Sequence, residues 1–167
     1  MSILLTAVIS SSVVAALISA LTTYSLKGLD FKNEYYKKII EKRFDAYAKV
    51  ERIITLLQRI SIDVNDNSKY HWAFEDWHVL GELKDALNSA LFQGMWISTK
   101  ALDLVLDLDK IFNRLDKEFP FDRHNDSVMA GKHYFDELEI LKMELEYRCK
   151  IDLLNLHKLK ILKPKKN

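Results

Sequence analysis

The chain has 167 residues, 49% of them hydrophobic and 29% charged, and its formal net charge is +1. Four Gly and two Pro are too few for a turn-rich all-β fold, and the balanced charge argues against a dedicated binder of duplex nucleic acid. The sequence holds no Gly-rich phosphate-binding motif and no spacing typical of a catalytic triad. Its single cysteine, Cys149, excludes an intramolecular disulfide framework and a multi-cysteine zinc site. We therefore expect an all-α protein that is not an enzyme and that holds no cofactor or metal.

Residues 1–26 contain no Asp, Glu, Lys or Arg, and roughly 20 such residues are enough for a helix to cross a bilayer. A cleaved secretory signal is the alternative, with Val14-Ala15-Ala16 as its cleavage site, but no basic residue precedes the apolar stretch. Six basic residues follow instead, between Lys27 and Arg43, and such a flank stays in the cytoplasm. We therefore predict a transmembrane anchor over 1–26 and a juxtamembrane joint over 27–34. The expected location is the bacterial inner membrane, in contact with its lipids, with the N-terminus outside.

Small residues recur every four positions in the predicted anchor, at Ala7, Ser11, Ala15 and Ser19. Such a row lets membrane helices approach closely, so we predict that it forms the contact in a homo-oligomer. The alternative is a monomeric anchor in which Ala and Ser merely lower the hydrophobicity.

Three later stretches place apolar residues at steps of three and four, which indicates amphipathic helices. The stretches are Tyr36–Leu57, Glu75–Glu118 and Tyr134–Leu159. Gly94 and the Ser98-Thr99 pair mark a kink or a break in the second stretch, with Ser98 as a helix N-cap. We predict a cytosolic antiparallel bundle of three or four long helices over 35–162, followed by a basic tail over 163–167.

The sequence also predicts how the chain connects the second stretch to the last helix. Pro120 ends the second stretch because it disfavours helix at the preceding Phe119. Residues 121–125 are then expected to form a loop, with Asp126 or Ser127 capping the last helix. Cys149 falls within the apolar stripe of that helix, so it is expected to be a buried core residue.

The sequence after the uncharged span reads Asn33-Glu34-Tyr35-Tyr36-Lys37-Lys38-Ile39-Ile40-Glu41-Lys42-Arg43-Phe44-Asp45-Ala46-Tyr47. With that span, it resembles many small bacterial membrane-anchored helical proteins over about the first third of the chain. In architecture alone, the chain is similar to the membrane effectors of type III CRISPR systems that sense cyclic oligoadenylate. That second resemblance implies an oligomeric cytosolic domain that binds a cyclic nucleotide in antiviral defence.

Periodicity stops between Ser61 and Asp76, where turn residues are followed by a cluster of rings. These rings either cap the end of the helical core or form a recognition surface on which bases stack. The second hypothesis assigns ligand binding to Lys69, Tyr70, His71, Trp72, Trp77 and His78, with Arg114 and Arg123 as further cations. His71 and His78 have no third ligand at a suitable spacing, so a metal site is not expected.

Three classes of function remain open. The first is a non-enzymatic effector that senses a ligand and acts on the membrane as an oligomer. The second is a membrane-tethered adaptor that recruits a cytosolic protein through the ring cluster or through the acidic segment over 60–126. The third is a toxin or immunity-type protein that acts through its membrane span alone. A sensor predicts a cationic pocket lined by aromatic rings, whereas an adaptor predicts an exposed apolar patch.

Overall fold

The structure of the protein, a computed structural model, describes residues 2–119 and 124–156. Most side chains before Asp30 lie outside this description. Three predicted features therefore lie outside the described residues: the side chains of Ala7, Ser11 and Ala15, the cation Arg123, and the basic tail over 163–167. The fourth member of the small-residue row, Ser19, is described and is exposed.

The described chain is mostly helical, which confirms the predicted all-α character. Its helices are α1 (Ser2–Gln58), α2 (Trp77–Phe92), α3 (Thr99–Glu118), α4 (His124–His133) and α5 (Phe135–Leu154). The chain divides into two compact units, Met1–Glu41 and Lys42–Asn167, and the boundary between them falls within α1.

The first unit consists of the greater part of α1. Its described side chains from Asp30 to Lys38 are all exposed, and the rings of Tyr35 and Tyr36 meet edge to face. Across the part of the chain that the structure describes, no helix combines the length and the apolar character that a membrane crossing needs. Most side chains of the predicted anchor over 1–26 lie outside that part.

The second unit is organised around a core to which the end of α1 and the helices α2, α3 and α5 all contribute. Its largest buried side chains include Tyr47 and Leu57 from α1, Leu83 from α2, Leu108 and Leu115 from α3, and Leu138 and Leu145 from α5. Helix α3 packs along both α2 and α5. The predicted stripe on α1 is only partly correct, because Tyr36 and Phe44 are exposed and the buried face begins at Ala46.

A break separates α2 from α3, as Gly94 and Ser98 predict. After α2 ends at Phe92, one 3-10 turn follows over Gly94–Trp96, and α3 begins at Thr99. Ser98 is the N-cap of α3, and its Oγ accepts a hydrogen bond from the Ala101 backbone N–H at 3.2 Å.

A short β-hairpin interrupts the helices, and the sequence analysis did not predict it. Strand β1 (Ile60–Ile62) pairs antiparallel with β2 (Lys69–His71), and a 3-10 turn (Trp72–Phe74) leads from there toward α2. Strands of three residues are too short to show an alternating pattern. The turn chemistry was nevertheless correct, since Asn67 has a φ of 58° in the connecting turn, a conformation that Asn tolerates.

The last predicted helix is two helices rather than one. Helix α4 begins at His124, so Asn125 lies in a helix and Asp126 and Ser127 lie within the first turns, where neither caps the last helix. Ser127 instead donates from Oγ to the backbone oxygen of Phe74 at 2.7 Å. The chain turns at Tyr134 and α5 follows. Of the core positions predicted for it, Leu138, Leu145 and Cys149 are buried, whereas Leu141 and Leu153 are half-buried.

Candidate functional site

Helix α5 is apolar on two sides. One side is buried in the core, whereas the other carries large apolar side chains that face solvent. Ile140, Met143, Tyr147 and Leu154 have exposed fractions of 58%, 60%, 69% and 72%, and Ile151 among them is half-buried. A helix that only covers a core places polar residues on its outer side. We call this exposed row of Ile140, Met143, Tyr147, Ile151 and Leu154 the α5 ridge.

Two grooves on the α3 side border the ridge. One has a volume of about 470 Å³ and is lined by Tyr147 together with Lys100 and Leu104 of α3. The other has a volume of about 310 Å³ and is lined by Ile140 together with Ile111 of α3. The two grooves follow one another along α3 and α5 beside the ridge, an arrangement that would suit an elongated partner.

Charged side chains border the apolar ridge and also make up much of the lining of both grooves. Arg114 of α3 pairs with Glu137 of α5 at 2.8 Å, and Lys150 pairs with Glu146 on α5 at 2.7 Å. These exposed pairs contribute little to stability. An apolar centre with a polar rim is, however, the usual anatomy of a protein–protein interface.

A buried polar network holds α5 in place beneath the ridge. Tyr47 Oη donates to Asp152 Oδ2 at 2.8 Å, and the Ser98 backbone N–H donates to Tyr47 Oη at 3.0 Å. Arg148 Nη2 pairs with Asp152 Oδ1 at 2.8 Å, and Ser98 Oγ also contacts this carboxylate. Because Ser98 begins α3 while Asp152 lies near the end of α5, the two helices are antiparallel. The network fixes α1, α3 and α5 to one another.

Burial is the main cause that raises the pKa of Tyr47, and its hydrogen bond to Asp152 acts in the same direction. Sequence reasoning missed this network. Its signal is a carboxylate at a core position, since Asp152 follows Leu145 and Cys149 at steps of four and three. Burial also raises the pKa of the Cys149 thiol, to about 11, in keeping with the predicted core role.

The predicted ligand-binding residues are distributed over different environments. Tyr70 and His71 of β2 are buried, and Trp72 is half-buried with the Arg59 guanidinium 4.4 Å from the centre of its ring. Trp77 is 44% exposed and His78 is exposed at the start of α2. The rings therefore divide between the core and the surface.

Of the predicted cations, Lys69 and Arg114 lie among the described residues, and they occupy separate environments. Lys69 is exposed on β2. Arg114 lines the groove beside α5, where it pairs with Glu137 and lies over the Tyr134 ring at 5.3 Å. Among the predicted residues that the structure describes, no two line the same groove beside α5 or the same cavity beside the hairpin.

The largest of these cavities, about 570 Å³, lies beside the hairpin and is lined by residues that include Tyr70, Glu75 and Lys132. Lys132 Nζ pairs with Asp63 Oδ2 at 2.6 Å and with Asp66 Oδ2 at 2.8 Å. Hydrogen bonds from Lys132 are the main cause that lowers the pKa of both carboxyl groups. The cation in this cavity is thus already engaged by two carboxylates, which disfavours the binding of a phosphate.

His71 is the most unusual of the predicted residues. It is fully buried, its ring lies 5.1 Å from that of Phe135, and its Nε2 is 3.8 Å from Glu139 Oε2. Neither ring nitrogen makes a well-formed hydrogen bond, although the Leu57 backbone is close enough to favour the protonated ring. Burial is the dominant effect, and it lowers the pKa of His71. Among the described residues, no three His, Cys, Asp or Glu side chains are grouped as metal ligands would be.

Comparison with protein-family models, with curated proteins and with solved structures finds no match for this chain.

Proposed function

We propose that this chain is a non-enzymatic, membrane-anchored adaptor. An N-terminal transmembrane helix holds a cytosolic helical bundle at the inner membrane, and the α5 ridge docks a protein partner. The observation that carries this proposal is the ridge itself, a row of exposed large apolar side chains on a helix whose other side is buried.

Exposed apolar surface favours a protein partner over a small ligand. Contiguous apolar patches on soluble domains mark interaction sites, and Tyr and Met are enriched at such interfaces. A small-molecule site would instead be a cavity with a few converging polar groups. The hairpin cavity offers one lysine that two carboxylates already engage, so the ridge supports docking better than that cavity supports sensing.

The uncharged sequence over 1–26 and the basic flank after it support the membrane anchor. Anchoring would keep the α5 ridge on the cytosolic side of the membrane, where a protein partner would dock. In this proposal the oligomer contact at Ala7, Ser11, Ala15 and Ser19 lies within the membrane.

Photo-crosslinking in cells tests the docking surface. A photo-reactive phenylalanine analogue is placed in the full chain at Tyr147 or Met143 on the ridge, and at Asn88 on the exposed side of α2 as the matched control. We expect discrete protein adducts after irradiation from the two ridge positions and none from Asn88. Ridge positions that give no more adduct than Asn88 would contradict the proposal.

The ligand-sensing effector stays a second prediction. The observation that favours it is the partly exposed Trp77 ring near the hairpin, which would let a base stack. Titration of the full chain in detergent with cyclic oligoadenylates, beside a Trp77→Ala variant, tests it directly. Saturable binding by the wild type that the variant weakens by about 5- to 150-fold would support sensing.

A further inference from the structure

The geometry points to a specific occupant for the α5 ridge: a second copy of this chain, whose own α5 lies antiparallel across it about a two-fold axis at Tyr147. This inference rests on the proposed docking function and names the partner. It is separate from the predicted contact between membrane anchors.

The spacing of the ridge has the symmetry that such a pair requires. Ile140, Met143, Tyr147, Ile151 and Leu154 follow one another at steps of three, four, four and three, which read the same in both directions. In a two-fold antiparallel pair centred on Tyr147, Met143 therefore lies level with the partner subunit's Ile151. Ile140 likewise lies level with the partner subunit's Leu154, and Tyr147 faces its own copy. Every apolar residue of the ridge thus meets an apolar residue.

The ridge residues also lie on alternate sides of the line along which the two α5 helices would touch. At 100° per residue, Met143 and Ile151 lie on opposite sides of Tyr147, as do Ile140 and Leu154. A two-fold axis perpendicular to both helices keeps each residue on its own side. Two side chains at the same height, such as Met143 and the partner subunit's Ile151, therefore lie side by side and do not collide. This is the interlocking arrangement of side chains in paired helices.

The charge of α5 favours the antiparallel direction. Residues 135–144 contain four acidic residues and one basic residue, whereas residues 145–154 contain two of each. The sequence that follows, 157–167, adds five Lys and no acid. Two parallel copies would place acidic half against acidic half, which is unfavourable. The antiparallel pair places the acidic half of one copy against the more basic half of the other.

The expected contact is small, because a pair of single helices buries less than the roughly 1,200–2,000 Å² of a stable interface. We therefore expect a weak dimer that depends on a high local concentration.

Cysteine crosslinking of the full chain in detergent micelles tests the pairing. All variants carry Cys149→Ser, which removes the one native cysteine, and copper phenanthroline is the oxidant. Tyr147→Cys should give a disulfide dimer, because this position faces its own copy. Met143→Cys alone should not, because two such positions lie about 12 Å apart along the pair and a disulfide needs Cα atoms within about 7 Å. Met143→Cys combined with Ile151→Cys should restore the dimer.

The expected yield of dimer is about tenfold higher for Tyr147→Cys than for Met143→Cys. Adding Tyr147→Glu to the Met143→Cys and Ile151→Cys pair should lower its yield about tenfold, because two carboxylates would then meet at the axis. Asn88→Glu is the matched control and should leave the yield unchanged.

Two results would overturn the inference, and a further measurement tests the proposed function separately. Efficient crosslinking by Met143→Cys alone would show a parallel pair. Absence of a dimer from both Tyr147→Cys and the double-cysteine variant would exclude the second copy. If photo-crosslinking at Tyr147 then still gave an adduct with a different protein, the docking function would stand and only the identity of its partner would change.

Discussion

At the scale of single residues, His71 is a buried ionisable ring whose neutral form the fold favours. Burial lowers its pKa and outweighs the opposing influence of the Glu139 carboxylate, while Lys142 acts in the same direction as burial. In the unfolded chain the ring keeps its ordinary pKa of 6.5. The unfolded state therefore binds a proton at a higher pH than the folded state does.

The first prediction is a loss of stability in mild acid that depends on His71. The stability is complete above pH 6.5 and falls as the pH is lowered through 6.5 toward the lower pKa of the folded ring. Chemical denaturation of the full chain in detergent, at pH 7.5, 6.5 and 5.5, measures this loss against His71→Leu, which cannot titrate. The variant's free energy of unfolding should vary less over this range, and parallel curves for the two proteins would contradict the prediction.

Tyr47 stabilises the fold through its hydroxyl group. Its hydroxyl donates to Asp152 and accepts the backbone N–H of Ser98. Removing that oxygen leaves the Ser98 N–H without this acceptor in a partly buried position, which is costly.

The second prediction is that Tyr47→Phe destabilises the protein by about 1–3 kcal/mol. Tyr35→Phe on the exposed part of α1 is the matched control, and it should change the free energy of unfolding by less than about 0.5 kcal/mol. Urea denaturation followed by circular dichroism gives both values. Equal stabilities for the two variants would show that the network contributes nothing.

At the scale of the elements, two helical glycines offer a matched pair. A Cβ added at Gly131 of α4 would lie 2.8 Å from Cβ and Cγ of Phe74, whereas a Cβ at Gly81 of α2 would meet nothing within 4 Å. Alanine favours a helix over glycine at both sites. At Gly131, packing against Phe74 therefore decides whether alanine stabilises or destabilises the protein.

The third prediction follows from this comparison. Gly81→Ala should stabilise the protein by up to about 1 kcal/mol, whereas Gly131→Ala should destabilise it by about 1–3 kcal/mol because Phe74 must move. Thermal or urea denaturation measures both. If both substitutions stabilised the protein, α4 or Phe74 would be able to shift at this contact at little cost in free energy.

The elements differ in how far the sequence predicts them. The break before α3 follows from Gly94 and Ser98, because a cap residue and a glycine act locally. The break at Tyr134 has no such local signal, since neither proline nor glycine occupies it, and it depends on contacts of α4 with the hairpin region. The strands β1 and β2 are too short to show a pattern, and their pairing joins residues that are up to 11 positions apart.

The candidate site likewise combines features that the sequence shows locally with features that depend on tertiary packing. The sequence identifies apolar residues on α5, but core and exposed apolar residues look alike until the other helices are placed. Leu145 and Tyr147 illustrate this, because they are two positions apart and only the first is buried. The ring cluster suggested a ligand site, whereas burial of Tyr70 and His71 depends on tertiary packing that the sequence does not display.

At the scale of the whole molecule, the fourth prediction concerns topology. The basic flank after residue 26 should keep the helical domain in the cytosol. A fluorescent reporter fused after Asn167 should be active there, whereas alkaline phosphatase at the same junction should be inactive. The fused chain should also resist extraction from membranes by alkaline carbonate. Active phosphatase would reverse the orientation, and full extraction would exclude the anchor.

The Asp152 network also cannot form until synthesis of this protein is nearly complete. Tyr47 and the carboxylate that it contacts are 105 residues apart, and at 5–20 residues per second a ribosome needs about 5–20 s to add that length. Throughout that time, the core side of α1 has emerged without the helix that completes its surroundings. A nascent chain of this protein therefore carries uncovered apolar surface, which a chaperone near the ribosome would shelter until α5 has been added.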